Sequence, residues 1–342
     1  VARNRIPVLI VAGFLGSGKT TLLNHLLHNN QGARIGVVVN DFGAVNIDAM
    51  TVAGQVDSMM SLSNGCLCCA VDARGMDKLL DRLARPGARL DVIVIEASGL
   101  AEPRELIRLV LASANKHIEY GGLIEVVDAV EFEGTRARHP ELERHLAFAD
   151  LVVLNKTDRL DENARVRVSD LVERLSGGKP VVLTSHGRVD PALLFEERSR
   201  PVREQVARQL SFDELGADEE DHAEHAHATY ESVEFVSDRP LHPRRLMSFL
   251  QDRPPGLYRM KGFVYFGVTG HKQKFTLHTV GNYLRIHRCA WARDEDRTTR
   301  LVLIGSGLVA ESLTRELEAC VETEPGTVDA QGMLVILRYL QS

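Results

Sequence analysis

The sequence predicts a doubly wound α/β domain built on a mostly parallel sheet, followed by a smaller α+β C-terminal domain. Three observations lead there. Short strands that are apolar on both faces alternate with amphipathic helices from residue 5 to about 200. The first of these strands runs into a glycine-rich turn that opens a helix. Composition then changes abruptly after Gln209, and beyond the change strands follow one another with few helices between them.

The strand Val8 to Ala12 is followed by the turn Gly13 to Gly18, and Lys19 to Asn29 reads as a helix. Strands are expected at Ile35 to Asn40, Val92 to Glu96, Leu123 to Val127, Leu151 to Asn155 and Val181 to Thr184. They are rich in Val, Ile and Leu, as strands covered on both faces by helices must be. Asp213, Glu214, Asp218, Glu219, Glu220, Asp221 and Glu224 then crowd around His222, His225 and His227 without apolar periodicity. A solvated linker follows from that pattern, and the histidines add a possible metal-collecting tract. Ser232 to Val236 alternates like a strand, and Pro243 to Gln251 looks like a helix. Strands at Tyr258 to Val268, Lys274 to Val280, Tyr283 to Cys289 and Arg300 to Ile304 precede a helix over Ala310 to Cys320. The expected division is residues 5–209, a linker 210–229 and a C-terminal domain 230–342.

Composition sets limits on function. Hydrophobic content of 44%, charged content of 26% and a formal charge of -6 leave no basic field for nucleic acid or anionic lipid. The longest apolar stretches are strand-length, far short of the ~18 residues of a membrane span. Val1 to Pro7 runs straight into a strand, which leaves no room for a signal peptide and predicts a cytoplasmic protein. Cys289 and Cys320 are scattered while the other three of the five cysteines sit together, a poor disulfide framework and a better set of reduced ligands.

Four motifs carry chemistry. Gly13-Phe14-Leu15-Gly16-Ser17-Gly18-Lys19-Thr20 fits a phosphate-binding loop between strand and helix. Glycines let backbone N–H groups wrap phosphates at a helix N-terminus, which makes Gly13, Gly16, Ser17, Gly18, Lys19, Thr20 and Thr21 nucleotide contacts. Lys19 is expected to reach the β- and γ-phosphates and Thr20 to ligate Mg²⁺. Asn155-Lys156-Thr157-Asp158 follows a strand. The Asp158 carboxylate can accept from N1–H and the exocyclic amine of guanine, and adenine offers neither donor there. Asn155 can pin the phosphate loop and the Lys156 stem can cover the purine, so the nucleotide is GTP. The competing reading makes Asp158 a helix cap.

Ile93-Val94-Ile95-Glu96-Ala97-Ser98-Gly99 ends an apolar strand in a carboxylate. Glu96 is placed to hold Mg²⁺ through water and the Gly99 amide to sense the γ-phosphate; a carboxylate capping the next helix is the alternative. Asp41, after the second strand, lies where a switch segment belongs and is a candidate for Mg²⁺ or for positioning the attacking water. No glutamine or arginine has a clear claim to complete the site, so hydrolysis is expected to be slow until a partner or a dimer supplies what is missing.

Asn64-Gly65-Cys66-Leu67-Cys68-Cys69 packs three thiols into four positions. Three thiolates suit Zn²⁺ or Cu⁺ and leave a fourth position open, as a carrier requires. Buried small side chains, a redox dithiol and a structural zinc are the other readings.

These motifs in this order, with Ile-Glu-Ala-Ser-Gly-Leu-Ala-Glu-Pro at 95–103, resemble those of the CobW-type metal-chaperone GTPases, relatives of the nickel-insertion GTPases of hydrogenase and urease. Tyr258 to Phe263 and Leu301 to Gly307 resemble strands of that family's C-terminal domain. The resemblance implies a P-loop GTPase domain with a smaller C-terminal domain, and transition-metal ligation by Cys66, Cys68 and Cys69. It implies nucleotide contacts at Lys19, Thr20, Asn155 and Asp158. The sequence departs from the family's Asn-Glu-Phe-Gly-Glu: it has Asn40-Asp41-Phe42-Gly43-Ala44, and Ala44 cannot ligate anything. The expected function is that of a GTPase, converting GTP to GDP and phosphate, that delivers Zn²⁺ or a similar ion to a client metalloprotein, with a nucleotide-dependent homodimer possible. The alternative is a regulatory GTPase that grips a protein partner and keeps only a structural or vestigial metal.

Overall fold

The computed structural model describes residues 5–40, 58–62, 73–85, 87–99, 102–195, 230–293, 295–323 and 330–340. Asp41, the cysteines Cys66, Cys68 and Cys69, and the histidines His222, His225 and His227 lie outside the described residues.

Residues 5–195 build a seven-stranded parallel sheet in the order β3-β2-β4-β1-β5-β6-β7. The strands are β1 (Ile6–Ala12), β2 (Ile35–Asn40), β3 (Ser58–Leu62), β4 (Val92–Glu96), β5 (Ile118–Asp128), β6 (Leu151–Asn155) and β7 (Val181–Leu183). The helices are α1 (Lys19–His28), α2 (Ala73–Leu83), α3 (Pro103–Leu111), α4 (Phe132–Arg138), α5 (Glu141–Phe148), α6 (Glu162–Ser176) and α7 (Pro191–Leu194). Every residue of β4 and β6 is buried, as the continuous Val/Ile/Leu runs require. On one face Leu22, Leu23 and Leu26 of α1 pack on Leu9, Val37 and Val94. On the other, Met76 and Leu80 of α2 and Leu106 of α3 pack on Ile10, Ile93 and Ile95.

Residues 230–340 form a second, antiparallel sheet in the order β11-β10-β9-β12-β8. It comprises β8 (Glu231–Ser237), β9 (Leu257–Val264), β10 (Lys274–Val280), β11 (Tyr283–Cys289) and β12 (Thr299–Gly305). Helices α8 (Pro243–Gln251), α9 (Ala310–Ala319) and α10 (Leu334–Leu337) share a core with Met260, Leu277 and Leu303. Among the described residues no helix is long and apolar enough to cross a membrane.

Three elements differ from the sequence expectation. β3 was not anticipated: Ser58-Met59-Met60-Ser61-Leu62 has no β-branched residue, and its strand state comes from pairing with β2. β5 begins at Ile118 rather than Leu123, because Gly121 and Gly122 break the apolar run without breaking the strand. The strand expected to reach Val268 stops at Val264, and Gly267 at φ 64° turns the chain beyond it.

The two sheets meet through Tyr258 and Val280, which join the core of Leu9, Ile124 and Leu151. Arg285, 1% exposed, donates through Nη1 to Glu119 Oε2 at 3.1 Å, while its Nε and Nη2 have no hydrogen-bond partner among the described residues. His278 beside them stays neutral, its imidazole pushed down to about 3 by burial and then by the nearby Arg259. Asp150 accepts from the Tyr120 hydroxyl at 2.5 Å and from the Leu123 N–H at 2.9 Å. Glu119→Ala strands a buried guanidinium and is expected to cost about 3–5 kcal/mol, read as a shift of the urea unfolding midpoint. A loss below about 1 kcal/mol would mean that the pair behaves as a surface ion pair.

Candidate functional site

Parallel strands all finish on one edge, and the loops there form the crevice of such a sheet. In β4 and β5, Glu96 lies opposite Val11 and Glu125 opposite Ala12, while Asp128 lies opposite Asn155 on β6. The loop 13–18 rises between these neighbours.

Gly13, Gly16 and Gly18 all have positive φ, at 144°, 75° and 106°. A side chain at Gly18 would place its Cβ 2.2 Å from Asn155 Nδ2, so loop and strand end can only pack this way around glycine. Gly18 is the N-cap of α1 and makes no side-chain cap to its first turn, and a helix N-terminus of this kind favours an anion. Lys19 is 8% exposed and donates to the carbonyls of Gly13 at 2.9 Å and Phe14 at 3.1 Å. The Thr20 hydroxyl donates to Glu96 Oε1 at 2.9 Å. Glu96 therefore faces the loop, and Glu102 holds the N-cap position of α3 instead. Gly99 lies against Leu15: a Cβ there would come 2.9 Å from the Leu15 backbone nitrogen.

The second cluster is built around Asn155, which is 2% exposed. Its Nδ2 donates to the Ser17 carbonyl at 3.0 Å, and its Oδ1 accepts from the Gly187 N–H at 3.0 Å. One side chain thus ties the phosphate-type loop to the turn after β7. Lys156 sits at φ 63° and donates to the Gly16 carbonyl at 2.7 Å and to Asp128 Oδ2 at 2.5 Å. Thr157 donates through N and Oγ1 to the Thr184 carbonyl, at 3.2 and 3.0 Å. Asp158 lies exposed in a turn spanning Thr157–Arg159. Asp161, not Asp158, caps α6, accepting from the Ala164 N–H at 2.8 Å.

Lys19, Thr20, Glu96, Gly99, Asn155 and Lys156 thus converge on the one loop, and Asp158 follows two residues after Lys156. Three contributors were missed in the sequence. Asp128 anchors Lys156 and also accepts from the N–H groups of Val130 and Glu131, at 3.0 and 3.3 Å. A carboxylate at the end of an apolar strand, the signal that identified Glu96, was equally present at Asp128. The turn Thr184 to Arg188 has no side-chain signature and is found only through its backbone contacts.

Glu125 is the third. It is 2% exposed, and burial, reinforced by the nearby Glu102 and opposed by Lys19, pushes its carboxyl up to about 8. The carboxyl is therefore neutral at pH 7. A group whose folded value lies above its unfolded one gives its full stability below the unfolded value and loses it as pH rises through the folded one. Glu125→Gln removes that loss. Its stability advantage over the parent is expected to grow between pH 4.5 and about 8 and then level at about 5 kcal/mol. Urea unfolding at pH 5 and at pH 9 checks this, and equal differences at both would contradict it.

A family model described as "CobW/HypB/UreG, nucleotide-binding domain" matches residues 7–183, and one described as "Cobalamin synthesis protein cobW C-terminal domain" matches residues 230–321. A Sinorhizobium protein named zinc chaperone CobW is 31% identical over 351 residues, covering 92% of this chain and 96% of its own. A Pseudomonas aeruginosa protein of the same name is 32% identical over 357 residues, covering 93% and 92%. The Escherichia coli zinc chaperone YjiA is 28% identical over 318 residues, covering 91% and 97%. With both halves matched and a relative above 30% identity across nearly the whole chain, the protein belongs to the CobW/HypB/UreG family of P-loop GTPases and carries the CobW-type C-terminal domain.

Proposed function

We propose that this chain is a GTP-hydrolysing metallochaperone that carries a transition metal, Zn²⁺ foremost, on Cys66, Cys68 and Cys69. Its nucleotide governs transfer of that metal to a client metalloprotein in the cytoplasm. The observation that carries this reading is the strand order β3-β2-β4-β1. Asn40 pairs with Leu62, and Val39 with Glu96, so β2, β3 and β4 finish side by side next to the phosphate loop. Asp41 follows β2 directly, and Cys66 comes four residues after β3 ends. Four residues span at most about 14 Å, and neighbouring strands lie about 4.8 Å apart, which tethers the first thiol within about 25 Å of Glu96. A nucleotide and a metal on such leads act on the same stretch of chain.

In this reading the backbone of Gly13, Gly16, Ser17 and Gly18, continuing into Thr20 and Thr21, wraps the phosphates. Lys19 exchanges two loop carbonyls for β- and γ-phosphate oxygens. The Thr20 hydroxyl and the Glu96 carboxylate are hard oxygen donors already in contact, a pair that fits Mg²⁺. Thr20 and Glu96 would hold Mg²⁺ there, and the ion would supply positive charge against the developing negative charge of the phosphates. Asp41 positions the attacking water, and the Gly99 amide meets the γ-phosphate. Asn155 fixes the loop, the Lys156 stem covers the purine and Asp158 reads its guanine edge. The motifs supply no water-orienting glutamine and no arginine finger, so intrinsic turnover is slow and a client or a second copy completes the site. The proposed division is a GTPase domain at 5–209, a linker at 210–229 and a client-docking domain at 230–342.

Turnover of GTP and ATP by the full chain, with Mg²⁺ in excess throughout and either one equivalent of Zn²⁺ or a soft-donor chelator that leaves Mg²⁺ in place, tests the reading. GTP should be hydrolysed in preference to ATP, and chelation should change the GTP rate. Equal use of ATP would refute guanine recognition. A rate and partner binding indifferent to chelation would favour a regulatory GTPase instead.

A further inference from the structure

A cavity of about 220 Å³ lies behind the phosphate loop. Phe14 and Ser17 wall it on the loop side, Glu125 on β5, and Phe132, Leu142 and Leu146 on α4 and α5. Ser17 is 0% exposed and Glu125 2% exposed. Ser17 Oγ and Glu125 Oε2 both lack a hydrogen-bond partner among the described residues. Buried polar groups are kept in folded proteins where they meet a partner, and here two of them share one space.

We propose that this cavity binds a small uncharged molecule carrying a hydrogen-bond donor and acceptor side by side on an apolar body, the chemistry of a primary carboxamide. A neutral carboxyl offers one O–H and one C=O in the same plane, and a carboxamide answers both at once. Burial holds the Glu125 carboxyl in its neutral form at pH 7. The Ser17 hydroxyl is left for the second amide hydrogen, and the aromatic and leucine walls take the body. A neutral acid and a hydroxyl give an ion no counter-charge, Asp128 in the wall is already paired with Lys156, and the remaining Arg138 and Glu131 carry opposite charges that offset. The ring of Phe14 lies against His139, centroids 4.7 Å apart, so an occupant touches the phosphate loop from the side of α4 and α5.

Ligand-observed NMR titration of the full chain with benzamide tests this, with benzamidine and benzoate as charged isosteres. Benzamide should bind saturably at one site, and each isostere about tenfold or more weakly. Glu125→Gln keeps a donor and an acceptor and should hold the benzamide affinity within about threefold, while Glu125→Leu should weaken it about tenfold. Absence of saturable benzamide binding, equal binding of all three probes, or tighter binding of benzamidine would overturn the proposal. So would an unchanged affinity in Glu125→Leu. If that variant does not fold, the three probes on the parent chain decide alone.

Discussion

Asp158→Asn is expected to lower GTP affinity about 10³-fold and to leave the fold intact. The carboxylate is read here as accepting two hydrogen bonds from guanine, one from N1–H and one from the exocyclic amine. A side-chain amide keeps one acceptor but turns an N–H₂ toward that amine, setting donor against donor and removing a charge-assisted pair. Xanthine carries a carbonyl where guanine carries the amine, and that carbonyl accepts from the asparagine. The variant should therefore prefer xanthosine triphosphate over GTP, reversing the parent's order. Stability should change little, because Asp158 is exposed and α6 takes its cap from Asp161. Competition binding with GTP, xanthosine triphosphate and ATP checks the reversal. Undiminished GTP affinity in the variant would remove the guanine assignment.

The triple variant Cys66→Ser, Cys68→Ser, Cys69→Ser is expected to lose at least about 10³-fold in Zn²⁺ affinity. A thiolate is a soft, charged donor near neutral pH, and a serine hydroxyl is neutral and hard, so no ligand of the set survives the exchange. GTP binding measured without metal should be preserved, since the phosphate loop and the Asn155 cluster are formed by other segments. Its response to added Zn²⁺ should vanish. Competition against a chromophoric chelator gives the metal affinity. Full retention would move the metal elsewhere, with His222, His225 and His227 the next residues to replace.

What could be read from the sequence follows a physical division. The loop 13–18, Glu96 and Asn155 to Asp158 are each a short string at the end of an apolar strand, so local order announces them. β3 is different: its strand state depends on β2, not on its own residues. Asp128 looked like any strand-end carboxylate until Lys156 was found against it. The Gly187 N–H matters because Asn155, far away in sequence, reaches it. Nothing in the strand Leu123 to Val127 singles out Glu125, and its neutral state follows from burial under long-range contacts. Glu119 and Arg285 come from different sheets and meet only when the sheets dock. Local strings identified the chemistry, and long-range contacts decided which neighbours complete it.

Metal and nucleotide act on one segment in this mechanism, and linkage makes the coupling reciprocal: whatever factor GTP imposes on the metal, the metal imposes on GTP. The direct test is a Zn²⁺ competition titration of the full chain with and without a non-hydrolysable GTP analogue, Mg²⁺ present in both. One Zn²⁺ per chain is expected, with an affinity that differs about 5- to 150-fold between the two conditions. Identical Zn²⁺ affinities with the analogue bound and absent would rule out the coupling.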